Sequence, residues 1–181
     1  MKTLYPFLLL LLSLTLLAPS CKKQPLDQLS LLPPATQTGA NTFGCLVNGV
    51  AFVPKNISIL QGPVLRCDYT TTPQGSVFYI TSAVNAGNGM DNAIDIRTDS
   101  LKISEGETLS LTKSFTPGLA SAGYSDQSDY STNANVTGQL SITHLDTVNQ
   151  IVSATFHFNA VNTAGDMVKI TNGRFDVHYK L

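Results

Sequence analysis

The chain has 181 residues, enough for one domain with a sizeable core, and 11 basic against 12 acidic side chains give a formal net charge of −1. The charges are spread without runs, so no basic stripe exists to release phosphate counterions and no nucleic-acid partner is expected. Three histidines, three cysteines and no tryptophan leave little material for a metal centre, or for the Trp platforms common in sugar-binding β-proteins.

Lys2 precedes an apolar run from Phe7 to Ala18. At 1.5 Å per residue the run spans about 18 Å, well short of a hydrocarbon core of about 30 Å, so residues 1–20 read as an export signal rather than a membrane span. The segment Ala18-Pro19-Ser20-Cys21 resembles a bacterial lipobox, whose cysteine is acylated and becomes the new N-terminus. It departs from the usual pattern in having Ala18 where Leu is common and Pro19 next to it. The alternative is an ordinary small-residue cleavage site with Cys21 following by coincidence. Removing Lys2 with the leader leaves a net charge of −2.

Residues 21–42 read as a lipidated, flexible tether, because Pro25, Pro33 and Pro34 interrupt regular structure and the polar residues have no period. Leu29, Leu31 and Leu32 are the residues that could dock back onto the domain.

From Phe43 the hydrophobic period is two. Phe43–Val47, Asn48-Gly49 and Val50–Val53 form a hairpin whose Asn-Gly pair suits a type I′ turn, with Val47 opposite Val50 and Cys45 opposite Phe52. Val64–Thr70 aligns Leu65, Cys67 and Tyr69. Val77–Val84 turns Phe78, Ile80 and Val84 inward, and Ala93–Thr98 alternates Ile94 and Ile96 with Asp95 and Arg97. Leu101–Ile103 and Thr108–Thr112 continue the pattern. Strands 136–145, 151–161 and 167–179 then pair antiparallel, with Leu140 opposite Phe156, Ile142 opposite Ala154, Val168 opposite Ala160 and Ile170 opposite Phe158. A bulge at Asn172-Gly173 restores Phe175, Val177 and Tyr179 to the inner face. One dry face requires a cover. The expectation is an all-β domain over residues 43–181, an antiparallel β-sandwich of about eight or nine strands, with a meander-like β-barrel as the alternative.

Cys45 and Cys67 both fall on core-facing positions. They are a candidate disulfide in an oxidising compartment, or else two buried thiols. His144 continues the inner face, while His157 and His178 point to the polar face, and none has ligand spacing for a metal. No Gly-x-Ser-x-Gly, His-Glu-x-x-His or Cys-x-x-Cys motif occurs, so no catalytic residue, enzyme activity, metal or cofactor is assigned. Gly87-Asn88-Gly89 reads as a turn. Two polar loops, 85–92 and 124–135, are rich enough in oxygen to bind Ca²⁺ but lack a ligand ladder. In the second, Tyr124, Asp126, Asp129 and Tyr130 form a candidate ligand loop for a glycan or protein, unless the tyrosines merely cover one end of the domain.

The hairpin Thr42–Gly49, preceded by a lipobox and a Pro-rich tether, and the closing strand Gly173–Tyr179 together resemble a family of uncharacterised lipoproteins of Bacteroidota, over about residues 32–181. The resemblance carries no activity and no site residues. It implies a Gram-negative envelope and attachment to the outer membrane through the lipid anchor; Lys22-Lys23 after the cysteine, with Asp27 late, favours the periplasmic face over the cell surface. Asp146-Thr147-Val148 and Asp99-Ser100-Leu101 match the short Asp-Ser/Thr-apolar O-glycosylation pattern of such proteins, with Thr147 the more accessible. The functional expectation is a lipid-anchored binding or interaction module, and the alternative is an assembly subunit that accepts a partner strand at an open sheet edge.

Overall fold

The computed structural model describes residues 27–56, 64–73, 75–85 and 90–181. The expected signal peptide, Cys21 and the Gly87-Asn88-Gly89 turn lie outside those residues. Within them the chain is all-β: a 3-10 turn (Gln28–Leu31) precedes strands β1 (Thr42–Val47), β2 (Val50–Phe52), β3 (Lys55–Asn56), β4 (Leu65–Thr72), β5 (Gly75–Asn85), β6 (Met90–Asp99), β7 (Thr108–Leu111), β8 (Leu119–Ser125), β9 (Asp129–Ser131), β10 (Gly138–Asp146), β11 (Ile151–Val161) and β12 (Met167–His178).

Alternation set most of the register. Asn48 and Gly49 sit at φ 49° and 83°, as a type I′ turn requires, and Val47 faces Val50 while Cys45 faces Phe52. Leu140 lies opposite Phe156 and Ile142 opposite Ala154. Val168 lies opposite Ala160 and Ile170 opposite Phe158. The register then slips between Phe156 and Phe158, with Asn172 at φ 53°, so that Gly173 faces Phe156 and Phe175, Val177 and Tyr179 all point into the core.

The sandwich expectation is corrected to the barrel-like alternative. One continuous sheet runs β4-β5-β6-β8-β7-β10-β11-β12. It closes where Lys180 meets β4: the Tyr69 amide donates to Lys180 O at 2.8 Å and the Lys180 amide donates to Cys67 O at 2.9 Å. The outer edge of β12 is thus shared, β1 taking residues 170–176 and β4 the extreme end. Short β9 fills a second gap, pairing with β8 along Gly123–Ser125 and touching β11 at Val161. Bulges in β1, β10 and β11/β12 bend the long strands and raise their twist, so the sheet covers its own dry face. An aromatic cluster sits within the largely aliphatic interior: Phe43, Phe78, Phe156 and Phe175 lie with ring centroids 5.4–6.4 Å apart, and Tyr69 joins Phe78 to Tyr179.

Three local expectations change. Leu101–Ile103 is not a strand, although Ile103 is fully buried. The span 124–135 is not one long loop: Tyr124 and Ser125 complete β8, and a tight turn leads directly into β9. A bulge between Ile142 and His144 rotates His144 off the inner face, and its Nδ1 lies 3.0 Å from Glu105 Oε2 at the surface.

The tether expectation also changes from Asp27 onward. Leu32 is buried, Arg174 Nε donates to Pro33 O at 2.7 Å, and the segment 36–40 folds over β12. There the buried carboxylate of Asp176 accepts from Thr36 Oγ1 (2.6 Å), Thr38 N (2.9 Å), Gly39 N (2.8 Å), Ala40 N (3.2 Å) and Ser153 Oγ (2.8 Å). Residues 27–41 therefore form a strap that belongs to the folded unit.

Candidate functional site

On β5, β6 and β8 the residues that alternate with the core face outward, and the register sets them side by side: Tyr79 beside Arg97, Arg97 beside Ser121, and Asp95 beside Gly123. This outer wall is flat and small-residue-rich because β8 reads Leu-Ala-Ser-Ala-Gly-Tyr-Ser. Two flanking segments raise its sides. The β8–β9 turn, in which Asp126 Oδ1 accepts from Ser128 N at 2.8 Å, delivers Asp129 and Tyr130; the β7–β8 connection delivers Phe115. Together they enclose a cleft of about 400 Å³.

Gly123 makes the floor. A Cβ there would lie 2.6 Å from Asp95 Oδ1, so the bare backbone lets the Asp95 carboxylate lie across β8. No donor among the described residues bonds that carboxylate. Burial pushes its pKa up, Arg97 opposes the shift and Asp129 adds to it. Arg97 reaches Asp99 at 3.3 Å, its Nε is buried without a partner, and its guanidinium carbon lies 4.6 Å from the Phe115 ring centroid. Phe115 itself sits at φ 53° and is 76 % exposed. A bulky side chain is rarely held in the left-handed region, and such outliers concentrate where a side chain is displayed for a purpose.

Of the candidate ligand loop, Tyr124, Asp129 and Tyr130 meet at this cleft, whereas Asp126 faces a neighbouring depression with Asn92 and Gln127. Tyr124 is buried and packs against its pairing partner Tyr130 at 5.8 Å on the core side, so the tyrosine that faces outward in the cleft is Tyr79 beside Arg97. The sequence reading did not select Tyr79, Asp95, Arg97 or Phe115. The outward alternation of Asp95 and Arg97 was the available signal; nothing local marks Phe115. Chemically the cleft offers two carboxylates as acceptors, a guanidinium as donor and two aromatic faces. Among the described residues no three His, Cys, Asp or Glu side chains come together to hold a metal.

The remaining candidates lie elsewhere. The disulfide expectation is corrected: Cys45 and Cys67 are free, buried thiols, and burial pushes Cys45 up to about 12 and raises Cys67 as well. Cys45 lies level with the bulge at Asn172-Gly173, while Cys67 bonds Lys180. At about 3.3 Å per residue along β12 the two stand roughly 20 Å apart, far beyond the reach of a bridge. Thr147 is exposed in the β10–β11 turn, where Asp146 Oδ1 accepts from the amides of Val148 and Asn149 at 2.9 Å. Ser100 is half-buried at φ 50° and packs against Gly75.

Residues 72–177, more than half of the chain, match the family described as a domain of unknown function (DUF6252), and the chain belongs to that family. No curated protein and no solved structure matches it.

Proposed function

We propose that this DUF6252 member is a lipid-anchored lipoprotein of a Bacteroidota outer membrane, held through Cys21 on the periplasmic face, and that its barrel is a binding module with the Asp95–Arg97–Phe115 cleft as its site. The ligand class that fits the cleft is a glycan. Sugar hydroxyls donate to the Asp95 and Asp129 carboxylates and accept from Arg97, while a sugar C–H face stacks on Phe115 or Tyr79. The observation that carries this reading is Phe115, displayed to solvent at a positive φ over a guanidinium. The closed strand circuit supports a binding module over a strand-accepting assembly subunit. On β2, the Ala51 amide is already taken by Gln28 Oε1 at 3.0 Å.

The test is titration of the purified protein with a panel of envelope and dietary polysaccharides. Phe115→Ala and Asp95→Asn are expected to weaken binding about tenfold or more, since aromatic stacking and charged hydrogen bonds are each worth roughly 1–3 kcal/mol. Val148→Ala, in a distant exposed turn, should bind as wild type. Equal binding by Phe115→Ala, or no binding of any glycan by wild type, rejects the assignment.

A further inference from the structure

Four exposed apolar side chains share one end of the barrel. Leu29 and Leu31 of the 3-10 turn are nearly half exposed, Val50 is 62 % exposed and Met167 is 61 % exposed. The register brings them to the same end. Ala51 bonds Gln28, Val50 pairs with Val47, Val47 pairs with Ile170, and Asn48 exchanges hydrogen bonds with Lys169, two residues from Met167. Val148 lies at the other end, where Asn149 O meets His178 Nδ1 at 3.2 Å. The length of β12 separates the two ends by about 35 Å.

The strap decides what this surface meets. A free tether over residues 22–42 would let the domain stand as much as about 70 Å from an acylated cysteine. Clamped by Asp176 and Arg174, the chain from Asp27 onward belongs to the folded unit, and six residue steps from Cys21 to Asp27 span at most about 20 Å even fully extended. The 3-10 turn just beyond that short reach carries Leu29 and Leu31. We infer that the Leu29–Leu31–Val50–Met167 surface is a membrane-contact surface that rests on the phospholipid leaflet holding the anchor, with Lys169 beside it facing the headgroups. This rests on the proposed acylation of Cys21. The barrel then lies against the bilayer instead of swinging on a tether.

The chain has no tryptophan, so single introduced tryptophans report cleanly. The mature lipidated protein is reconstituted in phosphatidylethanolamine–phosphatidylglycerol vesicles with or without brominated acyl chains, as Leu31→Trp, Val50→Trp and Val148→Trp variants. Emission from Leu31→Trp and Val50→Trp is expected to shift to the blue and to be quenched severalfold more strongly by brominated lipid than emission from Val148→Trp. If the protein co-floats with vesicles but all three are quenched alike, the surface assignment is overturned and the anchor stands. If the wild type does not co-float at all, the anchor itself is rejected, and this inference with it. Self-association of a Cys21→Ser form that disappears in Val50→Asp would assign the surface to a second copy and overturn the membrane reading.

Discussion

Asp176 is a charged side chain buried to 1 % exposure with no cationic partner among its hydrogen bonds, and its tolerance comes from donors. Burial raises its pKa, but the hydroxyl of Thr36 and the amides of Thr38, Ala40 and Gly39 outweigh burial and hold the carboxyl well below the usual carboxylate range. A depressed folded-state value means the contribution is complete above the unfolded value of about 3.9 and is lost as pH falls through the folded one. Asp176→Asn is therefore expected to lower stability at neutral pH by about 2–4 kcal/mol and to flatten the loss of stability between about pH 5 and pH 2. Denaturant melts across that range check it, and an unchanged acid limb would show that another group carries it. From the sequence, Asp176 was one polar residue on the outer face of a strand. Its partners in the strap lie 136–140 residues away, and no local pattern announces them.

Among the strands, two glycines constrain the fold for different reasons. At Gly49 a Cβ would meet nothing, but φ is 83°, so Gly49→Ala strains only the turn and should cost about 1 kcal/mol. At Gly138 a Cβ would lie 2.2 Å from Phe158 Cβ and 2.3 Å from His157 O, so Gly138→Ala must push β10 off β11. That change is expected to cost about 2–4 kcal/mol, and thermal melts of the two variants should separate clearly. The hairpin, β4–β6 and β10–β12 were legible because β-branched and aromatic residues alternate with polar ones. β8 was not. Its Ala-Ser-Ala-Gly run has neither the bulk nor the branching that marks a strand, and it pairs because β6 supplies a matching edge along Ala93–Asp99. The cleft depends on that same smallness, since Gly123 admits the Asp95 carboxylate.

At the scale of the molecule, closure rests on few bonds. β12 and β4 meet through Lys180 alone among the described ladders, by the two hydrogen bonds to Cys67 and from Tyr69. Lys180→Pro removes one donor and should open this seam. The expected result is faster amide exchange at Tyr69, with β11 and β12 amides unchanged and a stability loss of about 1–2 kcal/mol. Hydrogen-exchange mass spectrometry or NMR reads this directly, and undiminished protection at Tyr69 would mean side-chain packing, not Lys180, holds the seam.

The amino-acid pattern by itself determined the all-β class, the inner faces and the pairing of β10–β12, because a period of two and paired aromatics are local properties of the chain. Tertiary structure alone decided three things. The sheet closes on itself instead of meeting a second sheet, because curvature accumulates from several separate bulges. The Pro-rich segment from Asp27 becomes a strap, because a buried carboxylate far along the chain collects its donors. Asp95, Arg97, Phe115, Asp129 and Tyr130 form one cleft, because three non-adjacent segments converge on a wall that small residues keep open. Each is a sum of long-range contacts, which no window of sequence contains.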